Sequence, residues 1–334
     1  TASASVEIAI VGAGVVGLAT ALRLAGEGRE VMLIDPNEPG SGASFGNAGT
    51  LAEYACVPVG TPAVLRALPK LLLDPDSPFA LRWPALFQLA PWLARFARQS
   101  LPGATRANAA ALAGLLGDAL PAWQDMAAEA GATDLLRRNG CLYLFRQSGD
   151  VAASAPSRQL RAEFGVHQQI LDPAAVAALE PRLPPVSGGG LYFPDSLNVT
   201  DPSMLMRRLF DAASARGVTF QRARVTGLEI DGGGVRLSGP DLGVTSSKAV
   251  IAAGAFSRPL AAQAGDRIPL ETERGYHLEF PTDVPLLTRP VCPVDLGFYM
   301  TPMAGRLRVA GTVELGGLKA PANPRRLALL DRGV

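Results

Sequence analysis

Residues that build metal centres and disulfide frameworks are scarce in this chain. Its 334 residues include three cysteines, Cys56, Cys141 and Cys292, and two histidines, His167 and His277. The cysteines stand far apart, without the close spacing of zinc ligands, so no metal site is expected. Their odd number and scatter suit free thiols in a reducing compartment. A run of 18 apolar residues is also missing, as is a charged-then-apolar leader. Neither a membrane span nor a secretory signal is therefore read, and a cytoplasmic protein is expected. The first residue is Thr, which reads as a natural start that is missing or processed. Net charge is small, at +1, which argues against binding driven by nucleic-acid phosphates. Charged residues make up 18% and hydrophobic ones 48%, so a sizeable core is expected and disorder is not. The length suits two domains or one large one.

The most informative stretch that is present begins at Gly12. Gly12-Ala13-Gly14-Val15-Val16-Gly17 follows the apolar run Val6 to Val11 and precedes a helical face of Leu18, Ala21, Leu22 and Ala25. Gly12 permits a tight turn off a buried parallel strand. Gly14 lets a pyrophosphate approach the backbone, and Gly17 lets the helix pack close to the sheet. The helix N-terminus, at Val15 and Val16, adds unpaired N–H groups and a positive dipole end. Gly28 marks the helix end and Val31 to Ile34 form a second strand. Asp35 follows, where a carboxylate accepts from ribose hydroxyls. Strand, helix, strand and acid fall in register, which points to an adenine dinucleotide and to redox chemistry. A strand-to-helix turn without a ligand is the competing reading.

Residues 36–50 form a loop rich in glycine and serine. Residues 62–100 carry several prolines, three helical pieces, and Trp83, Phe87, Trp92 and Phe96. Residues 104–131 read as alanine-rich helix interrupted at Pro121. A strand at 140–145, short helices over 151–184 and a short strand at 190–193 follow. A helix starts at Asp201-Pro202 and runs to about Gly217. Strands are expected at about 218–230, 234–238 and 244–252, and 266–316 is mostly strand and turn. No internal repeat is found. The expected class is α/β, α+β overall, with two interleaved domains. Residues 1–50 and 200–257 form the dinucleotide-binding pieces, and residues 51–199 and 258–316 form a second domain with its own sheet. Residues 317–334 begin a further segment.

Several stretches, taken in order, resemble the D-amino acid oxidase superfamily of flavoproteins, most closely its D-amino acid dehydrogenase and glycine oxidase-like branch. One is the glycine motif with Asp35, where the family more often has Glu. The loop SGASFGNAG at 41–49 is similar to the family's second phosphate-contacting loop. Ala249 to Ser257 is similar to its strand ending in Ala-Gly near the flavin. Val199-Thr200-Asp201-Pro202, Arg274-Gly275-Tyr276 and the stretch Phe298 to Thr312 also match. The resemblance covers nearly the whole chain. It implies a Rossmann-like FAD-binding domain interleaved with a substrate domain built on a mostly antiparallel sheet with helices. It also implies FAD rather than NAD, held by Gly12, Gly14, Val15, Val16, Gly17, Asp35, Pro36, Gly42, Ala43, Ser44, Asn47, Ala48, Gly49, Val225, Ala253 and Gly254. Some relatives bind the flavin covalently through a histidine. Gly46 stands at the matching position here, so non-covalent FAD is expected.

Relatives oxidise an amine carbon next to a carboxylate, hydride passing from Cα to flavin N5 before the imine hydrolyses. The resemblance therefore implies a carboxylate clamp and a place for one ammonium proton. Tyr299 matches the family tyrosine that contacts the carboxylate; a core strand tyrosine is the other reading. Tyr54, past the flavin loop, matches a mobile tyrosine that covers the substrate; a loop packing residue is the other reading. Tyr276 and His277 are strand neighbours, so only one of them faces the flavin. His277 could accept a proton near neutral pH, or be structural. Arg274 is either a carboxylate partner or a strand-edge cap, and Arg306 reads as solvated. The family's bidentate arginine comes from a later Gly-x-Arg-Pro segment. The chain reaches Val334 before it, with 323–334 resembling the start of a helix, so a fragment is expected.

Electrons go to a quinone, a partner or oxygen. The stretch 79–100, with Arg82, Arg95 and Arg98, reads either as a peripheral membrane contact serving a quinone or as a helical layer on the substrate domain. The former would place the protein at the inner face of the cytoplasmic membrane. The expected activity is FAD-dependent oxidative deamination of an amino acid, a D-amino acid or a related secondary or cyclic amine. A non-catalytic flavin-binding subunit and an NAD-dependent dehydrogenase stay open as alternatives, as does the oligomeric state.

Overall fold

The computed structural model describes residues 4–74 and 76–334. The chain divides into two compact units. One takes residues up to Gly46, 125–134 and 201–271; the other takes 47–124, 135–200 and 272–334.

The first unit is built on a six-stranded sheet. Its order is Thr219–Arg222, Val31–Asp35, Ala4–Val11, Leu242–Ile251, Gly234–Gly239 and Gly227–Asp231. The first four strands are parallel, and the last two continue the sheet antiparallel. Ile8 to Val11 are buried without interruption, as a strand covered on both faces requires. The helix Val15–Gly26 buries Gly17, Leu18, Ala21, Leu22 and Ala25, one stripe at helical spacing. A second helix, Pro202–Ala215, packs on it. Its start is set by Asp201, whose side chain accepts from Met204 N, and by Pro202 in the first turn.

Two further pieces belong to this unit. Residues 125–134 are tied in by Glu129, which pairs with Arg23 at 3.5 Å and Arg216 at 2.9 Å. Asp134 accepts from Arg208 Nη2 at 3.1 Å. The helix Ser257–Gln263 is held by Gln263, whose Oε1 accepts from Leu228 N at 2.7 Å.

The second unit is built on eight strands. Seven follow the order Glu273–Pro281, Arg306–Leu315, Phe298–Met303, Val291–Pro293, Cys141–Leu144, Gly190–Phe193 and Gln169–Leu171. The eighth, Phe79–Leu81, pairs with Arg306–Leu315. That pairing and the one between Val291–Pro293 and Cys141–Leu144 are parallel; the others are antiparallel. Thr50–Leu51, Leu197–Val199 and Leu136–Arg137 make a small separate sheet. One face of the large sheet is the unit's main core, with Leu142, Val291, Phe298, Met300, Leu307 and Val309 packed with Leu330 of the helix Pro324–Gly333. Strand alternation turns the intervening residues to the other face.

Three local expectations shift. The helical stretch breaks at 117–118, between Pro102–Leu116 and Ala119–Glu129, rather than at Pro121. Pro121 sits in the first turn of the second helix, where its missing N–H removes no bond. The single strand expected over 218–230 is two, Thr219–Arg222 and Gly227–Asp231, on opposite edges of the sheet. Within 62–100 the helical pieces are Pro62–Leu73, Trp83–Ala85 and Leu86–Gln99, with the strand Phe79–Leu81 between them.

Candidate active site

In the first unit, Gly12 has φ of 110°, and a Cβ there would lie 2.4 Å from the Ala252 carbonyl oxygen. A Cβ on Gly17 would lie 1.8 Å from the Gly12 carbonyl oxygen. The turn therefore closes only with glycine at both positions. At Gly14 a Cβ would meet only Ser44 Oγ, at 3.2 Å. That leaves open space beside its backbone, as an approaching pyrophosphate needs. Gly14 starts the helix without a side-chain cap, and the first turn holds no acid. Its dipole end is thus suited to an anion. Ser44 Oγ accepts from Val15 N at 2.9 Å and so holds its loop over the motif.

Asp35 Oδ2 accepts from Ala13 N, and Oδ1 from Asn37 N, both at 2.9 Å. Each carboxylate oxygen can accept more than one bond. Asp35 therefore braces the glycine turn and keeps acceptor capacity for ribose hydroxyls. Pro36 O accepts from Arg222 Nε at 3.3 Å. Val225 and Ala253 are half-buried against the unit's core, and Gly254 opens a short turn after it. Gly42 and Ala43 are exposed, and a Cβ on Gly42 would meet nothing. These residues fit an adenine dinucleotide.

The loop expected as one phosphate-contacting piece is divided between the two units. Asn47, Ala48 and Gly49 belong to the second unit. There, Asn47 O accepts from Arg308 Nη1 at 3.1 Å, Ala48 O from Thr301 Oγ1 at 2.7 Å, and Gly49 O from Val199 N at 2.7 Å.

On the large sheet, His277 pairs with Ala310, and Ala310 with Tyr299. The pairing of Val291 with Met300 puts Cys292 opposite Tyr299, and Cys292 pairs with Tyr143. Directly paired residues share a face. His277, Ala310, Tyr299, Cys292 and Tyr143 therefore form one row, on the face away from the main core. The Tyr143 and Tyr299 hydroxyls are 2.9 Å apart. The Tyr54 hydroxyl is 3.3 Å from that of Tyr299 and 3.2 Å from Cys141 Sγ.

Tyr54 does not behave as a mobile cover. It is fully buried, and its ring stacks on Phe193 with centroids 4.0 Å apart. Its carbonyl accepts from Arg161 Nε at 3.1 Å. Its position is that of a brace for Tyr299. Burial raises all three tyrosines well above the ordinary range, and the neighbouring groups add to it for Tyr54 and Tyr299. Burial also pushes the Cys141 thiol up to about 12. The phenols are therefore neutral hydrogen-bond donors and not bases.

His277 is held below its ordinary value by burial and by the nearby Arg308 charge, with Glu279 opposing them. Both effects favour the neutral imidazole. Tyr276 lies on the opposite face, in the main core. Its hydroxyl donates to Glu314 Oε1 and accepts from Asn323 N, both at 3.0 Å. The register thus removes Tyr276 from the row and retains His277. Arg274 is also removed as a carboxylate partner. Its guanidinium donates to the carbonyls of Leu318, Ala320 and Pro321. Arg306, expected to be solvated, pairs with Glu279 at 2.9 Å. Sequence reasoning missed Arg308, which is fully buried and donates through Nε to the same carboxylate at 3.0 Å. The signal was two arginines at strand spacing facing one glutamate across the pair.

Comparison with known proteins decides the family. The model of the FAD dependent oxidoreductase family (DAO) matches residues 7–334. The chain belongs to this family. FAD is accordingly the cofactor, which sets aside the NAD-dependent reading. The chain is 36% identical over 332 residues to D-amino-acid oxidase of Bradyrhizobium diazoefficiens, covering 97% of this chain and 77% of that protein. It is 31% identical over 348 residues to D-amino acid dehydrogenase of Methylobacterium nodulans, covering 98% and 80%. Among solved structures, glycine oxidase from Geobacillus kaustophilus matches with a TM-score of 0.68 at 23% identity, covering 99% of this chain and 78% of that one. That likeness shows the fold, which is the expected α/β arrangement with a Rossmann-like FAD-binding part.

Proposed function

We propose that this flavoprotein oxidises the amine-bearing carbon of an amino acid, with a D-amino acid or a related secondary or cyclic amine as substrate. The 36% identity to a D-amino-acid oxidase along 97% of the chain carries the reading. Bound FAD supplies a two-electron acceptor for a C–H bond beside nitrogen. In the first unit, the Gly12 to Gly17 backbone and the helix dipole hold the pyrophosphate, and Asp35 holds a ribose. In the second unit, Tyr299 donates to a substrate carboxylate oxygen. Tyr54 donates toward the Tyr299 oxygen, and a substrate carboxylate turns the Tyr299 proton away from Tyr143, whose hydroxyl can serve that bond as either donor or acceptor. His277 accepts the ammonium proton, and small Ala310 leaves room between it and Tyr299. Purified protein should be yellow and bleach anaerobically with a D-amino acid. Colourless protein would defeat the reading, and a yellow protein that no amino acid bleaches would favour a non-catalytic flavin-binding subunit.

A second feature bears on the electron acceptor. The helix Pro62–Leu73 has no buried residue, and Leu89 is the one buried residue of Leu86–Gln99. Leu73 is 82% exposed, Trp83 61% and Phe87 91%. Arg66, Lys70, Arg95 and Arg98 are exposed on the same two helices. Aromatic and cationic residues on outward helix faces suit an anionic membrane surface, where a quinone acceptor dissolves. Among the described residues no helix is long and apolar enough to cross a membrane. Liposome flotation tests the membrane contact. Binding to anionic vesicles should fall in Phe87→Glu, and no co-flotation of the unmodified protein would refute it.

A further inference from the structure

Arg161, on the helix Ala155–Glu163, is a buried cation of the second unit. Its Nε donates to the Tyr54 carbonyl at 3.1 Å, and no carboxylate among the described residues pairs with it. The guanidinium carbon lies instead over two rings, 5.3 Å from the centroid of Phe193 and 5.8 Å from that of Tyr143. Both separations are those of a cation–π contact. A buried guanidinium is ordinarily paired with an acid, which cancels most of its field. Here ring faces and one carbonyl dipole stand in for the acid, so a positive field extends over the tyrosine cluster.

The two bonded hydroxyls of the row respond differently. Their separation of 2.9 Å leaves the donor open. At Tyr143, burial and the neighbouring thiols of Cys292 and Cys141 push the phenol up, while its bond to Tyr299 and the Arg161 charge draw it back. At Tyr299, burial, Tyr143 and the same two thiols all push up. Tyr143 is thereby favoured as the more acidic hydroxyl of the pair. The more acidic of two bonded hydroxyls is the better donor.

We infer that Arg161 is a positioning residue that sets Tyr143 as the donor to Tyr299 and so leaves the Tyr299 proton free for a substrate carboxylate. The inference rests on the proposed role of Tyr299. The charge acts through Tyr143. Without it, Tyr299 donates to Tyr143 in the free protein, and a carboxylate has to break that bond before it gains its own.

The test is a calorimetric titration of the full chain, with its flavin bound, by sodium propionate, a carboxylate with no amine to oxidise. Arg161→Gln removes the charge and keeps a donor for the Tyr54 carbonyl, and Arg161→Met removes both. Each should weaken propionate about three- to tenfold, the span of one neutral hydrogen bond, and Arg161→Lys, which keeps the charge, should stay within about twofold of the unmodified chain. The two uncharged variants keep the test open if one fails to fold. In a Tyr143→Phe background the competing acceptor is gone, so Arg161→Gln should have no effect there. A packing role through Tyr54 would weaken binding equally in both backgrounds. That equality, an unchanged Kd in the uncharged variants, an equal loss in Arg161→Lys, or no propionate binding by the unmodified chain would each overturn the inference. Anaerobic bleaching by a D-amino acid is read separately, so failure of this inference and failure of the proposed function are distinguishable.

Discussion

Replacing Glu53 by Gln should make the protein more stable at alkaline pH while leaving it unchanged near pH 4.5. Burial is the main force that moves this carboxyl from 4.5 up to about 7; its own backbone bond and the Ser196 side chain oppose the shift, and the Asp195 charge adds to it. In the unfolded chain the group ionises near its ordinary value. Between the two values the folded chain keeps a proton that the unfolded chain has lost. Stability therefore falls as pH rises through about 4.5 to 7 and levels off above. At 1.36 kcal/mol per pH unit, the full difference is about 3 kcal/mol. Glu53 is only partly buried, so solvent screening reduces this to about 1–2 kcal/mol. For a chain of this length that is about 2–3 °C in Tm.

The amide keeps the shape of the side chain and cannot ionise. Thermal and urea melts of both proteins at several pH values would read the difference. The two curves should meet near pH 4.5 and separate until about pH 7, with Glu53→Gln the more stable. Parallel curves would refute the reasoning. So would a less stable Gln variant at pH 8, which would mean that the carboxylate's hydrogen bonds outweigh its burial.

Three further substitutions test the candidate site. Gly12→Ala places a Cβ 2.4 Å from the Ala252 carbonyl oxygen in a left-handed conformation, and should destabilise the first unit by about 2–4 kcal/mol and abolish flavin absorbance; normal flavin content would show that the turn can relax. Tyr299→Phe removes a neutral donor and should lower kcat/KM for carboxylate-bearing substrates about tenfold or more, and unchanged kinetics would take Tyr299 out of the site. Arg274→Gln should reduce stability by about 1–2 kcal/mol through the loss of bonds to the 318–321 carbonyls, with KM unchanged. A raised KM would return Arg274 to the substrate carboxylate.

The cradle was legible because its determinants are local. Gly12, Gly14 and Gly17 follow a strand and open a helix, and Asp35 ends the next strand, so spacing alone orders them. Side choice on a strand was legible only as an alternative. Tyr276 and His277 had to face opposite ways, but which one joins Tyr299 depends on pairing with Gly311 or Ala310, and register is a property of two strands. For Tyr54 too the sequence left two readings open, and the buried packing position is the one found. Its burial comes from Phe193, Cys141 and Arg161, which lie far away in sequence. A cleft beside Glu53 draws on residues between 53 and 195, which no single window joins.

The arginines bear on the proposed role of neutral donors on the sheet face that carries Tyr299. Arg306 and Arg308 share the Glu279 carboxylate, which burial pushes up but which the two guanidiniums together hold below its ordinary value. Arg308 also serves the Asn47 carbonyl, and Arg274 serves the 318–321 turn. These cations are committed to shaping the loop and the sheet edge. For a substrate carboxylate the row would offer phenolic hydroxyls, whose bonds are directional and, being made to a charged group, would contribute about 1.5–3 kcal/mol each. Such recognition is weakly screened by salt, because no long-range attraction between full charges is involved. If Tyr299 carries the carboxylate contact, KM should change little with ionic strength. A KM that rises steeply with added salt would assign that contact to a guanidinium instead.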